Sequence, residues 1–111
     1  MDKDLRKLRI ECAIKHINEV LKDTKDVSLE EFRESDLLCR ADTFSIALIG
    51  EQLKRLQEFY GESHPEIAWS KANHMRNIIV HEYNHVDFAD VYMTIKNDLP
   101  VLKNQLESLL D

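Results

Sequence analysis

The chain reads as an all-α protein: one antiparallel bundle of four to five helices, pairing about a two-fold axis. Three observations predict this. Two Gly and two Pro in 111 residues leave little punctuation, and long helices need few breaks. Apolar residues recur at three- and four-residue spacing along most of the chain. Hydrophobic residues make up 43% and charged residues 32%, enough for a core and a solvated surface in one domain of about 100–150 residues.

The first helix is expected over residues 4–25, with Leu5, Leu8, Cys12, Ala13, Ile17, Val20 and Leu21 at helical spacing. Ile10 and Ile14 widen its apolar arc past one stripe, so it calls for two partners, its own bundle and a second subunit. Thr24 to Val27 is a turn. Ser28 with Glu31 matches a capping box and opens a short helical turn over 28–34. A long helix follows over 35–60, its core side carrying Leu37, Leu38, Ala41, Phe44, Leu48, Leu53 and Leu56. Gly50 lies inside it, where Gly costs about 1 kcal/mol relative to Ala, so a close approach by a backbone or ligand is expected there. Glu51 beside it is either a solvated charge or the partner of a buried cation such as Arg76. Gly61 ends the helix, and Pro65 suits the start of a new helical turn. Trp69 anchors that turn in the core. A helix over 69–83 follows, then a connection whose Asp87 caps a last helical region over 88–110, broken or kinked at Pro100.

A net charge of −6 argues against coating nucleic acid by bulk electrostatics, though it allows a local basic pocket. Cys12 and Cys39 have neither disulfide-scaffold density nor metal-site spacing, and both read as small buried residues. The charged N-terminus does not resemble a signal peptide, and no apolar run reaches the roughly 18 residues of a membrane span. A reduced, cytoplasmic protein is the expectation.

The chemistry concentrates in Arg76-Asn77-Ile78-Ile79-Val80-His81-Glu82-Tyr83. A wheel at about 100° per residue puts Trp69, Ala72, Met75, Ile79, Val80 and Tyr83 on one broad side. The opposing arc holds Asn73, Asn77, His74 and His81, joined by Asn84 and His85 if the helix runs that far. No Lys or Glu falls in that arc, which suits specific hydrogen bonding better than plain solvation. Arg76 points into the apolar side, where a charge needs a carboxylate or phosphate partner. His81 lies roughly 140° away around the helix, so two copies across a two-fold axis could converge where one cannot. Blander readings stand beside these. His81 could be a satisfied polar residue at a bundle edge, and Tyr83 core with its hydroxyl at the rim. His81 and His85, with His74, could bind a metal, but no carboxylate or Cys on this helix completes the site, so neither metal nor other cofactor is expected.

The stretch fits the Arg-x4-His-x-Tyr motif of the HEPN family, including the Asn that follows the Arg. Ile49-Gly50-Glu51 resembles the "IGE" segment of the HepT-like branch. Trp69 through Met75 resembles the run into its motif, and Asp98-Leu99-Pro100 is similar to its "DLP". The resemblance implies a dimeric, metal-independent ribonuclease acting as a toxin, countered by a small nucleotidyltransferase antitoxin of the MNT class. It carries over Arg76 and His81 as the catalytic pair, Asn77 as site support and Tyr83 as the acceptor of adenylylation, with RNA as substrate and neither DNA nor membrane as partner. Glu51, His74 and His85 are secondary candidates. The chain departs in Gln52, where the branch commonly has small residues, and in His85, a second imidazole after the motif.

Metal-free RNA cleavage needs a proton taken from the 2′-hydroxyl, a proton given to the leaving 5′-oxygen, and stabilised phosphate charge. An imidazole such as His81 serves proton transfer, and Arg76 offers a fork to phosphate oxygens. Two Arg76 side chains, with Lys71, could offset the acidic charge locally. The competing class is a non-catalytic module whose cleft binds a nucleotide or docks a nucleotidyltransferase.

Overall fold

The computed structural model describes residues 1–110, and among these there is no strand. Six α-helices follow in order: α1 Lys3–Asp23, α2 Leu29–Glu34, α3 Asp36–Tyr60, α4 Trp69–His81, α5 Phe88–Met93 and α6 Leu99–Ser108. A 3-10 turn, Tyr83–His85, follows α4, and a π-helical turn, Thr94–Asp98, joins α5 to α6. The bundle measures 42 × 28 × 21 Å. No helix among the described residues is long and apolar enough to cross a membrane.

The caps read from the sequence are present. Ser28 Oγ accepts from the Glu31 N–H, and Glu31 Oε1 accepts from the Ser28 N–H, closing a reciprocal box. Ser35 ends α2 and caps α3 by accepting from the Leu38 N–H at 3.1 Å. Asp87 Oδ1 accepts from the Ala89 N–H at 2.9 Å and starts α5. The break foreseen at Pro100 falls just before it. Leu99 N–H donates to the Thr94 carbonyl, one residue beyond the α-helical partner, so the π turn absorbs the disruption and Pro100 sits in the first turn of α6, where its missing N–H is harmless.

α3 is the spine. α1 packs along one side of it and α4 along another. Arg6 stacks on Phe59 while Arg9 bonds Gln52, so α1 runs antiparallel to α3. The core joins Ile10, Ala13, Ile17 and Val20 of α1 to Phe32, to Ile46, Ile49, Leu53 and Leu56 of α3, and to Val91, Ile95, Leu99 and Leu106. Each fully buried aliphatic or Phe side chain contributes roughly 1.5–3 kcal/mol by leaving water.

The expected core side of α3 needs correction in its N-terminal half. Leu37, Ala41 and Phe44 face outward, Phe44 being 64% exposed. Cys39, Asp42, Thr43 and Ile46 face inward instead. Apolar residues lie on both sides of this half-helix, so periodicity alone does not choose between them. Leu5 and Leu8 of α1 are also exposed. Cys39 is buried as expected, whereas Cys12 is only half-buried, next to the Gln52 amide.

Asp42 is the residue the sequence did not flag. Its side chain is fully buried. Burial first, then a hydrogen bond to and the charge of Asp23, push its carboxyl up to about 8. Asp42 therefore keeps its proton near neutrality. An unfolded Asp titrates near 4 (roughly 3.9). Between these values the folded chain holds a proton that the unfolded chain has released, so stability falls as pH rises from about 4 to about 8. This group on its own sets a downward slope across that window. Asp42→Asn should flatten it, as measured by thermal unfolding across that window. Parallel pH curves for the two proteins would refute the assignment.

Candidate active site

The site begins with the meeting of α3 and α4. A Cβ placed on Gly50 would lie 2.6 Å from Arg76 Cβ and 3.0 Å from the Ala72 carbonyl oxygen. The close approach anticipated at Gly50 is thus made by α4 itself. The stem of Arg76 packs against this contact, and its side chain is 21% exposed.

The Arg76 head group meets two partners. Its Nη2 lies 3.0 Å from Glu51 Oε2, and its Nη1 donates to Asn77 Oδ1 at 2.8 Å. Glu51 also pairs with Arg55 at 3.4 Å. Of the two readings of Glu51, the cation partner is the one the structure bears out. Glu51 Oε2 is sealed from solvent and no N–H is aimed along its lone pair, so the contact with Arg76 is an ion pair rather than an aligned hydrogen bond. A guanidinium has five N–H donors, and only some are engaged here.

The polar arc of α4 is also present. Ser70, His74, Asn77 and His81 form one exposed row, with half-buried Asn73 at its edge. The Asn73 Oδ1 atom is buried without a hydrogen-bond partner among the described residues. The helix stops at His81, earlier than expected. Glu82 leaves helical geometry at φ −138 and ψ 44, and the chain turns through His85 N–H to Glu82 O and Val86 N–H to Tyr83 O. Neither Gly nor Pro marks this stop. Asp87, capping α5, sets the new axis.

Three expectations change with it. Tyr83 is not on the buried side of α4; it lies beyond the helix, 40% exposed, with its ring edge-on to Phe88 at 6.3 Å. Val80 is exposed as well. Asn84 and His85 leave the polar arc, so His81 and His85 no longer share a face at helical spacing. Among the described residues no group of three His, Cys, Asp or Glu side chains is placed to hold a metal ion. Lys71 is held by Asp98 at 2.7 Å, which neutralises the cation that was to support Arg76. Gln52, one of the departures from the branch pattern, is absorbed structurally by Arg9 and Cys12.

The class of protein is thus an all-α bundle that carries a half-buried Arg, an exposed His and an exposed Tyr in Arg-x4-His-x-Tyr spacing along one short segment. The chain belongs to the Ribonuclease HepT-like family, whose model matches residues 10–109. It is similar to a protein of Thermococcus cleftensis described as "Probable ribonuclease HepT", with 31% identity over 78% of each chain. It is also similar to a "Putative RNase" of Caldanaerobacter subterraneus subsp. tengcongensis, with 29% identity over 91% of this chain and 90% of that one. A third relative, from Methanocaldococcus jannaschii, is described as "Gamma-glutamylcyclotransferase and putative RNase"; it is 29% identical over all of this chain and half of its own length. No solved structure matches the chain.

Gly50→Ala tests the helix contact. The added methyl meets main-chain and Cβ atoms, so α4 must move. We expect a net loss on the order of 1–2 kcal/mol, the overpacking cost reduced by the better helix propensity of Ala, read as a lowered thermal midpoint. Unchanged stability with an unchanged Arg76–Glu51 pair would show that the contact is slack.

Proposed function

We propose that the chain is a metal-independent endoribonuclease that acts as the toxin of a toxin–antitoxin pair. The observation that carries the reading is the half-buried Arg76, held by Glu51 and Asn77, on the same short helix as the exposed His81. Family membership supports the ribonuclease chemistry. In this reading Arg76 binds the scissile phosphate and stabilises its added charge. His81 moves the proton, and Asn77 and Glu51 keep the guanidinium oriented. His74 lies on the same exposed row and can contact the substrate backbone, with His85 in the turn beyond. Arg76 and His81 leave α4 in different directions, so a two-fold dimer supplies the Arg of one protomer and the His of the other to one cleft. Exposed Leu5, Leu8, Leu37 and Phe44 are apolar surface available for that pairing. Light scattering at micromolar concentration should give twice the chain mass; a monomer would end the shared-cleft reading.

Arg76→Ala and His81→Ala should each lower RNA cleavage by about 100-fold or more, and EDTA should leave the wild-type rate unchanged. Loss of activity in EDTA with His81→Ala still active would replace this mechanism with a metal-dependent one. The engaged state of the Arg76 guanidinium favours a second reading, a non-catalytic nucleotide-binding module that partners a nucleotidyltransferase. That reading gains if wild-type protein binds RNA or nucleotide and cuts nothing.

Tyr83 is the proposed control point. Its exposed phenol, outside the regular helix, is accessible to a nucleotidyltransferase antitoxin. The phenolic oxygen attacks the α-phosphate of ATP, a P–O bond to AMP forms, and pyrophosphate leaves with the phenolic proton lost to solvent. The bound AMP adds a bulky anion just beyond the end of α4 and competes there with the RNA backbone. Intact-mass analysis after incubation with such an enzyme and ATP should show added AMP on wild type and none on Tyr83→Phe. Equal modification of both would move the acceptor elsewhere, and full cleavage by modified protein would defeat the inhibition.

A further inference from the structure

A cavity of about 210 Å³ lies on the side of α3 away from the exposed Leu37 and Phe44. Its walls are Ile49 and Leu53 of α3, Ala72 and Met75 of α4, and Leu99 and Leu102 of α6. It exists because α4 and α6 both pack against neighbours but barely touch each other. Two polar ties border this gap, one from α4 to the π turn and one from α6 to the loop before α4. One is the Lys71–Asp98 ion pair at 2.7 Å; the other is the bond from the Gln105 amide to the Glu66 carbonyl at 3.2 Å. The π turn, through Thr94, Asn97 and Asp98, forms part of the rim. Turns of this kind occur frequently at functional sites.

We infer that this cavity is a binding site for a small uncharged aromatic molecule of about the size of indole. The cavity is about half open to solvent, and its volume is above the roughly 150 Å³ of an enclosed apolar cavity that takes up benzene. The walls are aliphatic, so they reward an apolar ring and offer little to a charged ligand. Lys71, the cation at the rim, is already neutralised by Asp98, which disfavours a nucleotide or phosphate. A peptide segment would bring N–H and C=O groups that the aliphatic walls cannot satisfy. One ring N–H or hydroxyl can still be met at the rim by Asp98, Asn97 or Thr94. The site touches the proposed chemistry from behind. Gly50 and Ala72, which line the cavity, are the residues against which Arg76 is seated.

The test is a titration of the full chain with indole, followed by amide NMR. Saturable shifts are expected at residues 46–53, 69–76 and 94–102. Tryptophan, with the same ring but a charged backbone, should not compete. Ala72→Leu and Leu102→Phe fill the cavity from opposite walls, and either one that keeps the wild-type circular dichroism should weaken indole binding by about tenfold or more. Three results would each overturn the site: no saturable shift in wild type, tryptophan competing as well as indole, or unchanged affinity in a folded filled variant. Shifts that track protein concentration instead of indole would assign the cavity to a second copy of the chain and would also overturn the proposal.

Discussion

The close contact of α4 with α3 at Gly50 governs the rest of the site. A helix pair normally keeps its backbones apart by the width of its side chains. Here one side chain is missing, and α4 settles until the Ala72 carbonyl and the Arg76 stem reach the α3 backbone. That depth turns Arg76 from a surface cation into a half-buried one, and it leaves the guanidinium beside Glu51, one residue after the glycine. Packing, orientation and charge at this point are consequences of one absent Cβ. The dependence is heightened because α4 takes almost all its helix packing from α3 and very little from α6.

The two motif residues are held differently. Arg76 has its stem fixed by packing and its head fixed by Glu51 and Asn77. His81 stands exposed at the last position of its helix, just before the chain turns. Its direction is left to whatever occupies the surface beside it. The segment thus pairs a fixed cation with an imidazole whose position no packing contact sets.

Much of this was legible in the residues. The caps at Ser28 and Asp87 were readable because a side-chain oxygen placed ahead of a periodic run has few other uses. Gly50 and Glu51 were readable because a helix-interior glycine is costly and a half-buried cation needs a carboxylate. The inward face of α3 was not, since Leu37 and Phe44 on one side compete with Cys39 and Ile46 on the other and only tertiary packing decides. Asp42 escaped notice because an isolated acid in a long helix ordinarily faces water; its burial becomes visible only with Asp23 beside it. The end of α4 was also hidden. No helix-breaking residue marks it, and the stop depends on where α5 begins.

The turn between α1 and α2 is closed from far along the chain. The Thr24 carbonyl accepts from Lys96 at 2.7 Å, and the Val27 carbonyl from the Tyr92 hydroxyl at 2.7 Å. Asp26, between them, holds a left-handed φ of 60, a conformation that Asp tolerates better than most residues. While the chain is being synthesised, the Val27 carbonyl emerges with water as its partner and the Thr24 carbonyl with only the local Val27 N–H, and the side chains that complete the turn follow some seventy positions later. Loop-closure entropy on that scale is lost before the contacts repay it. The N-terminal helices are therefore a provisional assembly until the last third of the chain arrives, and a nascent chain halted before Tyr92 presents an unfinished turn and an open apolar core.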